Sequence, residues 1–275
     1  MTDRYAVIGN PISHSKSPEI HTMFSEQFKG KPAGDMVYKD RILAPLDGFA
    51  ETIERLRKEG YKGCNVTVPF KFEAFQVATQ RTGPAQIMQA VNTLKFFDDG
   101  RIFGDNTDGK GLVRDIKENL HFDIVGKHIL LMGAGGAAHG VAQPLFDINR
   151  NLAVVNRTVE KARHMTDAFD KQDQTTVNTY EELVGQRFDL VINATSSGLS
   201  DEMPPLPPGI FAPGALAYDM MYGRDTPFMK FARANGAATV SDGLGMLVEQ
   251  AAESFFLWRG ERPDTVPVIA TLRLP

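Results

Sequence analysis

The chain has 275 residues, of which 42% are hydrophobic and 23% charged, with a formal net charge of −4. That length suits two domains of ordinary size. The composition excludes a disordered, collagenous or coiled-coil chain. The acidic balance excludes nucleic-acid binding by bulk electrostatics and leaves room for a local basic pocket. No stretch reaches the length of a membrane span, and the first apolar run, Tyr5–Ile8, is too short for a signal-peptide core. The one cysteine, Cys64, allows no intrachain disulfide, which fits a reducing compartment. Lying in the apolar run with Val66 and Val68, it reads as a small buried hydrophobe with no base nearby to activate it. The expectation is a cytoplasmic enzyme.

In chain order, Tyr5–Ile8 predicts a buried strand, ended by Gly9-Asn10-Pro11. A helix follows over Pro18–Phe28, with Ile20, Met23, Phe24 and Gln27 at helical spacing, Ser17 at the N-cap and Pro18 at the first position. Val37-Tyr38 is a second strand, Leu46–Lys58 a second helix ending at Gly60, and Gly63–Val68 a third strand. Val91–Phe97 and Arg101–Gly104 predict a hairpin around Asp98-Asp99-Gly100. This alternation of strands and helices predicts a mainly parallel sheet.

Gly109–Asn119 reads as a connecting helix and His128–Met132 as an apolar strand before Gly133-Ala134-Gly135-Gly136-Ala137-Ala138. A helix then runs to about Phe146, followed by the strand Leu152–Val155, a further helix after Thr158, and the strands Phe188–Asn193 and Leu216–Asp219. Pro204–Pro208 is a loop, and Leu244–Trp258 is a long helix with a glycine-rich start. The fold class is α/β in two domains. A discontinuous first domain, 1–104 plus 243–275, has a Rossmann-like domain, 105–242, inserted in it. The cleft between two such domains is a usual place for a small-molecule site.

Gly133–Ala138 matches G-x-G-x-x-G/A between a strand and a helix. Gly133 permits the tight turn, Gly135 lets a pyrophosphate approach the backbone, and Ala138 lets helix pack on strand. The helix N-terminus supplies free N–H groups for phosphates. At the end of the second strand an acid would bind the ribose 2′-hydroxyl of NAD. The chain has Asn156-Arg157-Thr158 there, with Lys161 a turn later. A guanidinium pairs with a 2′-phosphate, so the expected cofactor is NADP(H).

Three stretches of the first domain carry polar residues that folding does not require: Asn10–Pro18, Asn65–Lys71 and Gly104–Gly109. Val91-Asn92-Thr93 adds a fourth. Together with the glycine fingerprint, Asn193–Gly198, Tyr218–Tyr222 and Asp242–Gln250, they closely resemble the shikimate dehydrogenase family over nearly the whole chain. The resemblance implies reversible NADPH-dependent reduction of 3-dehydroshikimate to shikimate, in the pathway to chorismate and the aromatic amino acids, by a monomer or homodimer whose partners are small molecules. It makes the first domain the shikimate-binding one and the second the NADP-binding one.

The resemblance also assigns roles. Ser15 and Ser17 hold the substrate carboxylate, with Tyr222 closing over it. Thr67, Asn92, Asp108 and Gln250 bind the ring hydroxyls. Lys71 and Asp108 are the catalytic pair. Gly133, Ala134, Gly135, Gly136 and Ala137 cradle the pyrophosphate. Met220 and Gly243 lie against the nicotinamide, and Asn156, Arg157 and Thr158 grip the adenosine phosphate; the residue pattern adds Lys161 to the cofactor site. Vicinal hydroxyls need fixed donors and acceptors, which amides and a carboxylate supply. A lysine with a lowered pKa, oriented by an aspartate, can give or take the carbinol proton. Taken singly, Lys71 reads as a solvated lysine after a Pro-Phe turn and Asp108 as a loop or cap residue; their joint pattern assigns them. His14 is expected to support its loop and Asn65 to bond neighbouring backbone. His139 stands where many relatives carry arginine, which weakens one charge contact with the cofactor. The alternatives are a quinate/shikimate dehydrogenase with broader substrate or NAD use, against which Arg157 speaks, and a non-catalytic protein sensing NADP or shikimate, against which Lys71 and Asp108 speak.

Overall fold

The computed structural model describes residues 2–148, 152–169, 175–195 and 202–274. Two compact units divide the chain, residues 1–111 with 248–275 and residues 112–247.

The first unit opens with β1 (Asp3–Gly9), α1 (Ser17–Gln27), β2 (Met36–Leu43), α2 (Phe49–Lys58) and β3 (Tyr61–Val66). Then come α3 (Lys71–Val77), β4 (Gln80–Arg81), α4 (Gly83–Met88), β5 (Thr93–Phe96), β6 (Ile102–Asp105) and the start of α5 (Asp108–Arg114). The six strands form one sheet in the order β2-β1-β3-β5-β6-β4. β1 pairs in parallel with β2 and β3, and β4 with β6, whereas the expected hairpin makes β3–β5 and β5–β6 antiparallel. In α2, Phe49, Thr52, Ile53 and Leu56 are buried at i, i+3, i+4 and i+7, the stripe that seats a helix on a sheet. Cys64 is buried in β3, and burial pushes its thiol well up, so it is inert packing.

Several boundaries differ from the sequence reading. Lys16, not Ser17, holds the N-cap position of α1; Ser17 is already helical and makes no capping bond. The second helix begins three residues later than expected, because Pro45 accepts from the Gly48 N–H in a turn that leaves Leu46 exposed. α3 and α4 were not expected; each is under eight residues, too short for a periodic pattern. The connecting helix starts at Asp108 and turns π-helical over Asp115–Asn119.

The second unit contains β7 (Ile129–Met132), α6 (Gly136–Ile148), β8 (Leu152–Val155), α7 (Val159–Ala168), β9 (Thr175–Asn178), β10 (Phe188–Asn193), β11 (Phe211–Asp219), α8 (Pro227–Ala234) and β12 (Thr239–Ser241). All pairings are parallel in the order β12-β11-β10-β7-β8-β9. Read from β9, this is the doubly wound 3-2-1-4-5-6 sheet, whose order reverses between β7 and β10. β7 and β8 are buried at every residue, as strands covered on both faces must be. The short edge strands β9 and β12 and the Thr226-capped α8 were not anticipated.

α9 (Leu244–Arg259) carries the chain back into the first unit, which α10 (Val266–Leu272) completes. Trp258 stacks on Tyr5 at 4.6 Å and donates from Nε1 to the Leu94 carbonyl at 3.0 Å, fastening α9 to β1 and β5. Among the described residues no helix is long and apolar enough to cross a membrane.

Gly111 lets α5 lie directly on α9. A Cβ there would stand 2.7 Å from the backbone nitrogen of Gln250, a distance only a helix shift relieves. Gly111→Ala is expected to lower stability by about 1–3 kcal/mol, measured by urea denaturation.

Candidate active site

The first site grows from the C-terminal end of β3. Thr67 donates its backbone N–H to Ile8, and the Phe70 N–H returns to the Thr67 carbonyl. Phe70 is fully buried and stacks on Phe49 at 5.1 Å. This anchor fixes the residue after it, Lys71, as the first of α3, and the Lys71 carbonyl accepts from the Val91 N–H. Asp108 is the first residue of α5, with its N–H bonded to Asn106 Oδ1 at 3.1 Å. Lys71 Nζ donates to Asp108 Oδ2 at 2.5 Å, with side chains 18% and 10% exposed.

Asn92 meets the other carboxylate oxygen, donating from Nδ2 to Asp108 Oδ1 at 2.8 Å. The Thr107 N–H donates to Asn92 Oδ1 at 2.9 Å, which settles the orientation of that amide. Gln250 Oε1 accepts from Thr107 Oγ1 at 3.3 Å and from Asn92 Nδ2 at 3.4 Å. Ser15 and Ser17 place their hydroxyls 3.2 Å apart, and the Ser17 N–H donates to Ser15 Oγ. Arg41 holds this loop, donating from Nε to the Ser15 carbonyl at 2.8 Å while its guanidinium pairs with both oxygens of Glu19. Thr67 is half-buried beside Gly9.

Asn65 does more than the backbone bonding expected of it. Its Oδ1 accepts from the Tyr38 hydroxyl at 2.9 Å and faces His21 Nε2 at 3.1 Å; its Nδ2 reaches Ser254 Oγ at 2.9 Å and Thr93 Oγ1 at 3.2 Å. Burial raises the Tyr38 phenol, and the Ser17 side chain draws it down. One network thus joins Asn65, Asn92, Asp108, Lys71 and Gln250, while Ser15 and Ser17 bond to each other. The network includes residues given no role from the sequence: His21, Tyr38, Ser254, and Thr93 and Thr107 within the quoted motifs. The signal for Ser254 was its place four residues after Gln250 on one helix; nothing in the sequence marked His21.

The second site lies at the switch point of the parallel sheet. Gly133 follows β7 at φ +110°, and a Cβ there would lie 3.0 Å from the Ala194 carbonyl oxygen after β10. A Cβ at Gly135 or Gly136 would meet nothing, so the turn before α6 is open, while Ala138 is fully buried. Asn156 Nδ2 closes onto the Thr158 carbonyl at 2.8 Å, leaving Arg157, Thr158 and Lys161 exposed at the end of β8. Burial raises the half-buried Tyr180 phenol, and the Arg157 charge draws it down, so this cation stands near Tyr180. His139 is half-buried in α6; burial, and then His164, lower its pKa and keep the imidazole neutral.

The Met220 N–H donates to the Asn193 carbonyl and the Gly243 N–H to the Met221 carbonyl, which brings Gly243 against the Met220 backbone. The buried Asp219 organises this turn, accepting from Thr226 Oγ1 at 2.5 Å, the Met221 N–H at 3.0 Å and Asn193 Nδ2 at 3.3 Å. Burial raises its pKa against the pull of these donors, and burial also raises that of Tyr222. Met220, Tyr222 and Gly243 belong to the second unit. Ser196, Ser197 and Gly198 lie outside the described residues.

Three family models match the chain: the shikimate dehydrogenase substrate binding domain over residues 7–94, shikimate / quinate 5-dehydrogenase over residues 115–200, and the shikimate 5'-dehydrogenase C-terminal domain over residues 243–273. A shikimate dehydrogenase (NADP(+)) of Methylobacillus flagellatus is 56% identical over 274 residues, covering 98% of this chain and 99% of its own. Among solved structures, an Ael1 enzyme from Pseudomonas putida is 45% identical with a TM-score of 0.91, covering 99% of both chains. Shikimate 5-dehydrogenase from Thermus thermophilus, solved in complex with NADP(H) and shikimate, is 32% identical with a TM-score of 0.86, covering 98% of both.

His21 gives the first unit an acid-sensitive element. It is fully buried and stacked on Tyr38 at 4.3 Å, and burial drives its pKa from 6.5 down to about 3 against the opposing bond to Asn65. Between those values the unfolded chain binds a proton that the folded chain refuses, so stability rises with pH across the window. It is lost as pH falls below about 6.5, by up to about 1.4 kcal/mol per pH unit. Urea midpoints measured from about pH 7 to 5 are expected to fall less steeply in His21→Phe than in the parent.

Proposed function

The chain belongs to the shikimate dehydrogenase family and catalyses the reversible NADPH-dependent reduction of 3-dehydroshikimate to shikimate; we propose that Lys71 and Asp108 handle the proton of this reaction. The observation that carries the proposal is the 2.5 Å contact between Lys71 Nζ and an aspartate whose second oxygen is held by Asn92. A reaction that makes and unmakes a secondary alcohol needs one group to give and take a proton at the carbinol oxygen. In the reductive direction the Lys71 ammonium donates to the oxygen as it gains negative charge. In the oxidative direction the neutral amine accepts the hydroxyl proton. Asp108 keeps the ammonium aimed and accepts from the substrate.

The remaining polar groups bind and orient. Ser15 and Ser17 offer paired hydroxyls to the substrate carboxylate, and Tyr222 is assigned to the same group. Thr67, Asn92, Asp108 and Gln250 bind the ring hydroxyls; a site built from amides and hydroxyls penalises an analogue that leaves them unpaired. The cofactor fits the residues of the second unit. The open turn at Gly135 and Gly136 before the free N–H groups of α6 suits a pyrophosphate, with Gly133, Ala134 and Ala137 completing the cradle. Exposed Arg157 and Lys161, with Asn156 and Thr158, suit a 2′-phosphate where a carboxylate would repel it. Met220 and Gly243 are assigned to the nicotinamide. When bound, NADPH supplies the hydride, and NADP⁺ accepts it in the reverse direction. A single cysteine, which can form no intrachain disulfide, fits a cytoplasmic location, and the enzyme is read as a monomer or homodimer.

The reaction is tested by mixing purified protein with shikimate or quinate and NADP⁺ or NAD⁺ and following absorbance of the reduced cofactor; shikimate with NADP⁺ is expected to react fastest. Lys71→Ala is expected to cut turnover by roughly 10²–10⁴-fold and also to lower the melting temperature, since it leaves the Asp108 carboxylate without its cationic partner. Near-normal turnover across the pH range would remove Lys71 from proton transfer. Arg157→Ala is expected to raise KM for NADP⁺ by about ten- to a hundredfold and to leave NAD⁺ kinetics almost untouched. Equal losses with both cofactors would mean that Arg157 does not read the 2′-phosphate.

A further inference from the structure

Gln250 and Ser254 stand one helical turn apart on α9, so their side chains share a face. Ser254 is fully buried and has no role in the assignments above. Its Oγ lies 2.7 Å from Thr93 Oγ1, 2.9 Å from Asn65 Nδ2, 3.4 Å from Thr107 Oγ1 and 3.1 Å from the Gln250 carbonyl.

Donor and acceptor rules give this cluster a direction. Asn65 Oδ1 is taken by Tyr38 and His21, so Asn65 Nδ2 points to the oxygens of Ser254 and Thr93. Asn92 Oδ1, already oriented by the Thr107 N–H, accepts from the Thr93 hydroxyl at 3.0 Å. The Thr93 proton is therefore committed to Asn92. At the 2.7 Å contact between the two hydroxyls Ser254 must be the donor, its proton shared with the Gln250 carbonyl. The chain of bonds runs from Ser254 to Thr93, from Thr93 to Asn92, and from Asn92 to Asp108 Oδ1 at 2.8 Å.

We propose that Ser254 is a positioning residue for the reaction: through Thr93 and Asn92 it orients the Asp108 carboxylate, and with it Lys71. The proposal rests on the assignment of Asp108 to the catalytic pair. Ser254 touches neither substrate nor cofactor in this scheme. It keeps the Asn92 amide aimed by loading the far side of its oxygen, and hydrogen bonds in such a chain reinforce one another.

Steady-state kinetics of Ser254→Ala test this. Turnover is expected to fall about two- to tenfold, the effect of one neutral hydrogen bond. KM for NADP⁺ should stay constant, and the apparent pKa in the kcat profile should move as the carboxylate facing Lys71 loses support. Ser254→Thr keeps the hydroxyl and should restore both turnover and profile. Thr93→Val removes the next hydroxyl at constant shape and should reproduce the loss; it decides the question should Ser254→Ala fail to fold. In an Asp108→Asn background Ser254→Ala should have no further effect on kcat. Parental kcat and pH profile in Ser254→Ala, or a loss that multiplies in full on top of Asp108→Asn, overturns the proposal and leaves the role of Asp108 standing. Normal turnover in Asp108→Asn itself overturns the reading of the site.

Discussion

A carboxylate taken out of water must be met by donors or give up its charge. In the first unit Asp108 is met on one oxygen by the Lys71 ammonium and on the other by the Asn92 amide. The three residues come from the first position of α3, the segment just before β5 and the first position of α5. Each of these stretches is short and has little helical or strand preference to hold it. The ion pair and its amide tie them together, and the sheet beneath fixes their spacing. Breaking such a pair by deleting one partner leaves a buried charge uncompensated, so this site is also a local constraint on the fold.

The support behind the pair is built from hydroxyls and amides because each must serve more than one neighbour. Asn92 both donates to Asp108 and accepts from Thr107 and Thr93, which a purely donating or accepting side chain could not do. Asn65 has the same double role a layer deeper, between His21 and Tyr38 on one side and Thr93 and Ser254 on the other. The aromatic packing of His21, Tyr38, Phe255 and Trp258 dries this region. In dry surroundings a correctly paired polar network is strong and a mispaired one is costly. The identities of these residues are therefore coupled.

The second unit uses backbone geometry more than side-chain charge. Gly133, at φ +110°, brings the end of β7 against the chain after β10, where a Cβ would be crowded to 3.0 Å on a strained backbone. The buried Asp219 gathers Thr226, Asn193 and the Met221 N–H, shaping the turn that carries Met220 and Tyr222. Asp115, in the π-helical stretch, accepts from the buried Tyr218 hydroxyl at 2.6 Å and packs on Gly245, where any side chain would collide with its carboxylate. The path from β11 to α9 is thus held by carboxylates that do none of the chemistry.

The two-unit α/β plan, the hairpin around Asp98-Asp99-Gly100 and the position of the glycine fingerprint were legible along the chain, because each rests on local pattern: buried runs of β-branched and aliphatic residues, turn residues, and small residues between a strand and a helix. The pairing of Lys71 with Asp108 was legible too, through motifs that are contiguous in the chain. Features set by approach from a distance were not. α3 and α4 are too short to show a period, and they exist because β3, β5 and β6 fix where their ends must lie. Ser17 looked like a helix cap by spacing, yet the folded chain starts the helix at Ser17 itself and turns its hydroxyl to Ser15. Asn65 looked like a local backbone partner, and only the fold brought Ser254 to it across 189 positions of sequence. Hydrogen bonding needs atoms within about 3 Å, and which side chains come that close is decided by how helices and strands pack, not by their order along the chain.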